Sequence, residues 1–385
     1  MRALFFTTGG DSEPSSRVRV YQYLPGLRRA GVACTVWPLA GRRYLELGYG
    51  MRRPPAALRA AWVGGHFAWR SARRLGQLLA ARRHDVLVVQ KETFPFGLER
   101  LISSLRIPVV YDFDDAIYAA SALPDGRGRR LRAAAERVLR RERALPALLA
   151  RARLVVAGSP VLAEYAAQHA REVEVIPTVV DSDAYGRAPL RREGTLTIGW
   201  IGAPPNLVYL EPLRPVFQEL ARRFDVRLRL VGPSAFDCPG VRVECTGWRH
   251  YASVADEVAD LHGFDVGIMP LPDTGFAAGK CALKAIQSMA CGVPVVVSPV
   301  GVNAEVVRDG VCGFLADTPE TWTARLAQLL ADPNLRARMG AAGRARAEAR
   351  YSLRATLPRW LDVLERVARR APACEARTPL LGGSA

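Results

Sequence analysis

Lysine is nearly missing from this chain of 385 residues. Only three of its 54 basic residues are lysine, namely Lys91, Lys280 and Lys284, and all others are arginine. Any position that tolerates either residue therefore carries arginine. Because an ammonium is a compact point charge and a guanidinium is a planar fork, these three positions are candidates for sites that need the ammonium.

Several other features are missing and exclude whole classes of protein. No apolar run reaches the roughly 18 residues of a membrane-spanning helix, and the few apolar residues after Arg2 are too few for the core of a signal peptide. The seven cysteines form no CxxC pair and the five histidines have no ligand spacing, so we expect buried thiols and no metal site. We expect a cytoplasmic protein, or one held peripherally at the inner face of a membrane.

The charge is unevenly spread. The chain carries a net charge of +17, and residues 1–150 contain 26 basic against 12 acidic residues. Such a field attracts anionic membranes, nucleic acid or acidic substrates. Two basic stretches, 56–83 and 127–153, suggest helices lying on anionic lipid; the alternative is that they cover the sheet with their arginines in solvent.

Short β-branched runs alternate with longer stretches of helical spacing, which predicts doubly wound α/β domains with parallel sheets. The runs lie at 3–7, 34–38, 85–90, 108–112, 154–157, 173–176, 196–201, 227–231, 241–245, 265–269, 293–298 and 313–316. A polar break at 181–194 divides them. We predict domains over 1–182 and 193–352, a final helix over 353–370 and a flexible tail over 371–385.

The densest motif lies between residues 264 and 307. A strand ends in a proline-rich loop, and Gly279 is predicted to open a helix over 280–290. A helix N-terminus beside glycine offers free N–H groups and a positive dipole end to a diphosphate. Lys280 and Lys284 would share one helix face with Gln287, which would bond a ribose or sugar hydroxyl. The alternative, a solvated helix face, conflicts with the scarcity of lysine.

This region resembles the donor-binding motif of the glycosyltransferase group 1 family. The resemblance rests on the segment MACGVPVV at 289–296, on Gly301, on Glu305 and on the stretch 309–315. It implies the GT-B fold, in which two Rossmann-like domains face a central cleft and the last helix crosses back to the N-terminal domain. It further implies a retaining, metal-independent transfer, with a donor site that includes Gly202, Gly279, Gly301, Val302, Asn303 and Glu305.

The sequence departs from the commonest family pattern, which places two glutamates eight positions apart. Here Gly279 and Gln287 occupy those positions, and the usual Arg/Lys pair after the first C-terminal strand is not evident. Lys280 and Lys284 are therefore expected to neutralise the donor diphosphate.

Carboxylates follow a strand of the N-terminal half. Asp112, Asp114 and Asp115 lie at the end of the run 108–112, where ligands bind in open α/β sheets. They are candidates to orient an acceptor hydroxyl, to act as a base or to hold a cation. Asp114 lies where many group 1 transferases carry a histidine; the alternative for Asp114 or Asp115 is a helix N-cap.

Four further residues are expected in the same cleft. Gly9 and Gly10 follow the first strand and resemble the family's loop near the donor phosphates or acceptor. Arg17 would reach an anionic group, with plain surface charge as its alternative. Lys91 follows the third strand.

Together these features predict a glycosyltransferase of the hexosyltransferase type that uses a nucleotide-diphosphate sugar and no tightly bound cofactor. The expected acceptor is a sugar or a lipid-linked precursor of cell-envelope polysaccharide or exopolysaccharide, met at an anionic membrane surface. Alternatives on the same fold are a nucleotide-sugar epimerase and a phosphorylase. A basic nucleic-acid-binding protein is a further alternative that no recognisable motif supports.

Overall fold

The computed structural model of the chain describes residues 1–39, 69, 72–78, 80–93, 99–102, 105, 107–119, 141–190, 194–247 and 254–369. Most of the first basic stretch, half of the second and the predicted tail at 371–385 lie outside these residues.

Six parallel strands form the N-terminal sheet in the order β2-β1-β3-β4-β5-β6. They are β1 (Arg2–Thr7), β2 (Ala33–Pro38), β3 (Val86–Gln90), β4 (Val109–Phe113), β5 (Leu154–Ala157) and β6 (Val173–Val175). Successive side chains of β1 join different cores: Ala3 and Phe5 pack on one face, Leu4 and Phe6 on the other. This alternation shows that the sheet is covered on both faces, as the unbroken apolar runs predicted.

Six more parallel strands form the C-terminal sheet in the order β12-β11-β10-β7-β8-β9. They are β7 (Leu196–Ile201), β8 (Val226–Val231), β9 (Arg242–Cys245), β10 (Val266–Met269), β11 (Val295–Val297) and β12 (Gly313–Leu315). All twelve strands lie where the sequence predicted them, with ends that differ by at most two residues. The predicted α/β class with two doubly wound sheets is confirmed.

Helices connect the strands, as parallel pairing requires. In the N-terminal half they are α1 (Pro14–Arg19), α2 (Leu24–Arg29), α3 (Glu99–Ile102), α4 (Arg141–Arg151) and α5 (Pro160–Ala167). In the C-terminal half they are α6 (Arg214–Arg223), α7 (Val254–Leu261), α8 (Gly275–Ala278), α9 (Leu283–Ala290), α10 (Asn303–Val306), α11 (Pro319–Ala331), α12 (Pro333–Arg350) and α13 (Leu353–Arg369).

The last helix, α13, returns to the N-terminal domain. The hydroxyls of Tyr23 and Thr356 are 2.8 Å apart, and the ring of Trp360 meets that of Tyr23 edge-on at 6.0 Å. Leu357 covers Gly26, where a Cβ atom would lie 2.6 Å from the leucine Cδ2. The predicted crossing of the final helix is confirmed.

The predicted helix over 280–290 begins too early, and this is a correction. Gly279 ends the short helix α8 and has an ordinary φ of −78°. The next helix, α9, begins at Leu283, and its N-cap Ala282 has a left-handed φ of 54°. Lys280 therefore precedes the helix, so Lys280 and Lys284 do not share a helical face.

Candidate functional site

The carboxyl ends of the two sheets meet in a narrow interface. The Cys281 thiol lies 3.2 Å from the carbonyl oxygen of Asp114. A Cβ atom on Gly279 would lie 2.3 Å from the Cβ of Ala116, and one on Gly158 would lie 2.7 Å from the sulfur of Cys281. Gly279 thus permits the close approach of the two domains and does not open a helix; its role in donor binding stays a prediction.

All three lysines of the chain gather at this interface with two aspartates. Lys91 bonds the Asp115 carboxylate, and its Nζ lies 3.6 Å from Oδ1 of Asp114. The Nζ of Lys280 lies 4.0 Å from Oδ1 of Asp115. Lys284 interacts electrostatically with both Lys280 and Asp115. We call Lys91, Asp114, Asp115, Lys280 and Lys284 the lysine–aspartate cluster; it holds three ammonium groups against two carboxylates.

The charges in the cluster shift one another's pKa values. Burial and repulsion by Lys280 lower the pKa of Lys284 to about 8, although Asp115 opposes this. Burial also disfavours the charged forms of Lys91 and Asp115, but their mutual attraction outweighs it: the pKa of Lys91 lies well above its usual range and that of Asp115 below it. Lys284 is therefore the ammonium with the least compensation, and an added anion would stabilise it.

Two residues, Lys91 in this cluster and Ala282 close to Lys280 and Lys284 in sequence, have a strained backbone conformation. Of the described residues other than glycine, only Lys91 (φ 53°) and Ala282 (φ 54°) have positive φ. The N–H of Lys91 donates to the carbonyl oxygen of Asp112 at 2.7 Å, which fixes the turn after β3. Strain of this kind costs about 1–3 kcal/mol and clusters at functional sites.

The first strand of the C-terminal sheet, β7, positions Lys284. The Nζ of Lys284 lies 5.9 Å from the ring centroid of Trp200, which is a buried side chain of β7. Gly202 leaves room for the lysine stem, since a Cβ atom there would lie 2.9 Å from Cε of Lys284. The structure thus brings the predicted residues Gly202 and Lys284 together. Lys280 lies over the ring of Phe276, 4.9 Å from its centroid.

The three aspartates after β4 have different environments. Asp112 is fully buried and accepts hydrogen bonds from Nε of Arg19 at 3.2 and 3.1 Å. It therefore supports the N-terminal fold, and a catalytic role for Asp112 stays a prediction. Asp114 accepts a bond from the Ser15 hydroxyl at 2.5 Å, and Asp115 is the more exposed, at 27% of its side chain. No helix begins within the described residues 114–119, so the N-cap alternative is not supported there.

The loop after β1 is held in place by hydrogen bonds to the N-terminal end of the following helix, α1. The Gly9 N–H donates to Oγ of Ser16 at 3.2 Å, and the carbonyl oxygen of Gly10 accepts from the N–H of Glu13 at 3.1 Å. Arg17 forms an ion pair with Glu257 of the other domain. Its guanidinium is thus engaged by a protein carboxylate, which differs from the expected contact with a ligand.

Gln287 also forms a hydrogen bond with another side chain of the protein. It is only 4% exposed, and its amide donates to Oε1 of Glu257. The Tyr185 hydroxyl donates to the same oxygen at 3.0 Å. Gln287 is thus bonded to Glu257 here, and its contact with a donor hydroxyl stays a prediction. Sequence reasoning missed Glu257 and Tyr185, because a glutamate in a first helical turn and a tyrosine in a linker carry no distinctive pattern.

The loop after β11 supplies the other predicted donor-binding residues. Gly301 has a left-handed φ of 57°, and a Cβ atom there would lie 2.1 Å from the carbonyl oxygen of Ala278. Val302 is buried, and the buried Asn303 donates to the Ser298 carbonyl at 3.0 Å while its own Oδ1 has no hydrogen-bond partner among the described residues. Glu305 is exposed. These contacts fix the loop; a role in donor binding stays a prediction for all four residues.

A cavity of about 400 Å³ lies where both domains meet α13. Gly158 and Pro177 line its N-terminal side, Glu305 its C-terminal side, and Arg350 and Arg359 the side of the last two helices. A Cβ atom on Gly158 would lie 3.2 Å from the Cα atom of Asp114. This end of the cavity therefore lies beside the backbone of one member of the lysine–aspartate cluster.

Neither a membrane-spanning helix nor a metal-binding cluster occurs in the described part of the chain. No helix there is long and apolar enough to cross a membrane. No group of three or more His, Cys, Asp or Glu side chains there is placed to hold a metal ion.

Family comparisons match both halves of the chain. A family model described as Glycosyl transferases group 1 matches residues 195–332, and one described as Glycosyltransferase Family 4 matches residues 16–184. Together the matches contain the lysine–aspartate cluster and the loop after β11.

Curated proteins are similar over different lengths. The chain is 39% identical to a D-inositol 3-phosphate glycosyltransferase of Thermobispora bispora over 123 residues, 30% of this chain but only 27% of that protein. It is 28% identical to the MMP alpha-(1->4)-mannosyltransferase of Mycolicibacterium hassiacum over 349 residues, 82% of this chain and 80% of that protein.

A solved structure has the same fold. The structure of Anabaena Alr3699/HepE in complex with UDP and glucose superposes with a TM-score of 0.63 at 18% identity, covering 95% of this chain and 99% of that chain. At this identity the likeness establishes the two-domain arrangement of parallel sheets alone.

Proposed function

Because the chain belongs to the GT-B glycosyltransferases of the group 1 and family 4 type, we propose that it transfers a sugar from a nucleotide-diphosphate donor to an acceptor hydroxyl. The observation that carries this proposal is the convergence of all three lysines on the interface between the two sheets. A chain that uses arginine at every other basic position has kept ammonium groups only here. Compact ammonium charges at a sheet's carboxyl edge suit a diphosphate.

The chemistry assigned to these lysines is stabilisation of the departing diphosphate. As the bond from the anomeric carbon to the phosphate oxygen breaks, negative charge grows on the leaving group. Preorganised cations lower the barrier most when they lie where that charge develops. Lys280 and Lys284 would contact the diphosphate, and the lysines that now pair with Asp115 would exchange that carboxylate for the diphosphate. The close contact of the domains at Gly279 would exclude water, which otherwise hydrolyses the donor.

The same proposal includes the identity of the donor and the stereochemistry of the transfer. A uridine donor is supported by the related Anabaena protein, whose structure holds UDP and glucose. The relatives named inositol 3-phosphate glycosyltransferase and mannosyltransferase support a sugar donor. Retention of anomeric configuration follows from the family resemblance of the motif at 289–315.

A thermal-shift screen of the full chain against nucleotide diphosphates and their sugars tests the donor, because a ligand bound only by the folded state raises the melting temperature. We expect stabilisation by a nucleotide diphosphate, loss of that shift in Lys280→Ala, and retention in Arg222→Ala, an exposed position on α6. No shift with any nucleotide diphosphate would refute the proposal. Donor turnover without acceptor would instead indicate an epimerase, and turnover only with inorganic phosphate a phosphorylase.

We further propose that the acceptor is a cell-envelope or exopolysaccharide precursor met at an anionic membrane surface. The excess of basic residues in 1–150 supports this, because polybasic segments are attracted to anionic lipid. Trp69, 46% exposed among those arginines, is an apolar side chain suited to the interface. Flotation with vesicles of anionic lipid at low salt should carry the protein, whereas vesicles of neutral lipid should not; no flotation with anionic vesicles would refute membrane contact.

A further inference from the structure

A buried carboxylate joins four separate elements beside the cleft. Glu257 of α7 is 1% exposed. One of its oxygens accepts from the Tyr185 hydroxyl at 3.0 Å and from the Gln287 amide, and the other pairs with Arg17. We call Glu257, Arg17, Tyr185 and Gln287 the Glu257 junction.

The junction spans the two domains and the segment that links them. Arg17 lies on α1 of the N-terminal domain, whereas Glu257 and Gln287 lie on α7 and α9 of the C-terminal domain. Tyr185 lies in the segment 181–190 between the sheets. Glu257 therefore obtains its cationic partner from the opposite domain. A buried carboxylate that loses such a partner is left uncompensated, so the pair favours the arrangement in which the domains touch.

The two helices that meet at Glu257 also contact or carry members of the lysine–aspartate cluster. On α1, Ser15 lies two residues before Arg17 and donates to Asp114 at 2.5 Å. On α9, Lys284 lies three residues before Gln287, on the same side of the helix. A shift of α1 relative to α9 would therefore disturb the placement of the N-terminal carboxylates relative to Lys284.

We propose that Glu257 is a positioning residue for sugar transfer, which holds α1 and α9 in the relative placement that aligns the N-terminal carboxylates with the C-terminal lysines. This inference rests on the proposed function. Glu257 itself contacts no substrate, and it acts through Arg17 and Gln287.

Enzyme kinetics and domain arrangement together test this role. In the full chain, Glu257→Gln and Arg17→Gln should each lower kcat about ten-fold, because misplaced groups cost rate, while the Kd for UDP changes by less than about two-fold. Small-angle scattering should show a larger radius of gyration for both variants than for the wild type. The double variant should be no worse than the poorer single variant, since the two residues act as one pair.

Matched variants separate the junction from ordinary destabilisation. Glu219→Gln removes a carboxylate whose partner Arg222 lies on the same helix, and it should change neither kcat nor the radius of gyration. Arg17→Lys keeps the charge and should recover most of the kcat that Arg17→Gln loses. If Glu257→Gln fails to fold, the Arg17 variants carry the test, because Arg17 is partly exposed.

Unchanged kcat and unchanged scattering in Arg17→Gln would overturn the positioning role, as would losses in the double variant that equal the product of the single losses. Failure of the wild type to bind any nucleotide diphosphate would refute the proposed function instead. In that case the scattering of the variants still decides whether the pair sets the domain arrangement.

Discussion

Lys280 and Asp115 belong to opposite domains, and the Nζ of Lys280 lies 4.0 Å from Oδ1 of Asp115. This carboxylate also bonds Lys91, so Asp115 occupies the position in which an anionic ligand would meet two ammonium groups. The free protein therefore neutralises part of its own anion site. This relationship makes the lysines and the aspartate separately testable.

Lys280→Ala should weaken the binding of UDP by about 2 kcal/mol, because it removes a charge-assisted contact. Isothermal titration calorimetry measures this directly. Arg222→Ala, which removes a cation from the exposed surface of α6, is the control and should leave the Kd unchanged. Equal affinities of Lys280→Ala and wild type would remove Lys280 from the diphosphate site.

Asp115→Asn should bind UDP more tightly than the wild type. The carboxylate competes with the ligand for Lys91 and Lys280, and the amide keeps its shape without its charge. We expect a Kd lower by about three- to ten-fold, in the range of a partly exposed charge interaction. Weaker binding would mean that Asp115 orders the lysines more than it competes for them.

The affinity for UDP should fall as the pH rises from 7 to 9. The pKa of Lys284 is lowered to about 8 by burial and by Lys280, so the amine loses its charge across this interval while an anion needs the ammonium. A bound diphosphate raises that pKa, so binding should be accompanied by proton uptake near pH 8. Lys284→Arg stays charged and should flatten the profile; a wild-type affinity independent of pH would contradict the prediction.

Gly279→Ala should lower kcat and leave nucleotide affinity nearly unchanged. The new methyl group would lie 2.3 Å from Cβ of Ala116 and 2.9 Å from its backbone nitrogen, so the domains could not approach as closely. Steady-state kinetics and calorimetry separate the two effects. Gly76→Ala is a suitable control, since a Cβ atom there meets nothing within 4 Å.

Substitution of the two neighbouring aspartates, Asp112 and Asp114, should have different effects. Asp112→Asn leaves the buried Arg19 without its counter-charge and should reduce the free energy of unfolding by about 3–5 kcal/mol, measured by urea denaturation. Asp114→Asn should keep a stability close to that of the wild type and lower turnover, because its carboxylate lies 3.6 Å from Nζ of Lys91 within the cluster at the interface. Full turnover by a folded Asp114→Asn variant would exclude catalysis by that carboxylate.

The amino-acid sequence alone determined the fold. Apolar runs such as 154–157 and 196–201 match the observed strands because a strand buried on both faces is a short, continuous apolar run rich in β-branched residues. The scarcity of lysine also singled out Lys91, Lys280 and Lys284 without any structure, because it is a property of composition.

The tertiary structure decided which of the predicted site residues are engaged by other protein groups. Asp112 and Asp114 are two residues apart, yet Asp112 pairs with the buried Arg19, whereas the carbonyl oxygen of Asp114 meets the Cys281 thiol of the other domain. Gln287 and Arg17 meet at Glu257 from different domains. Such partners lie far apart along the chain, and local patterns carry no information about long-range pairing of buried charges; only the packing of the two sheets brings them together.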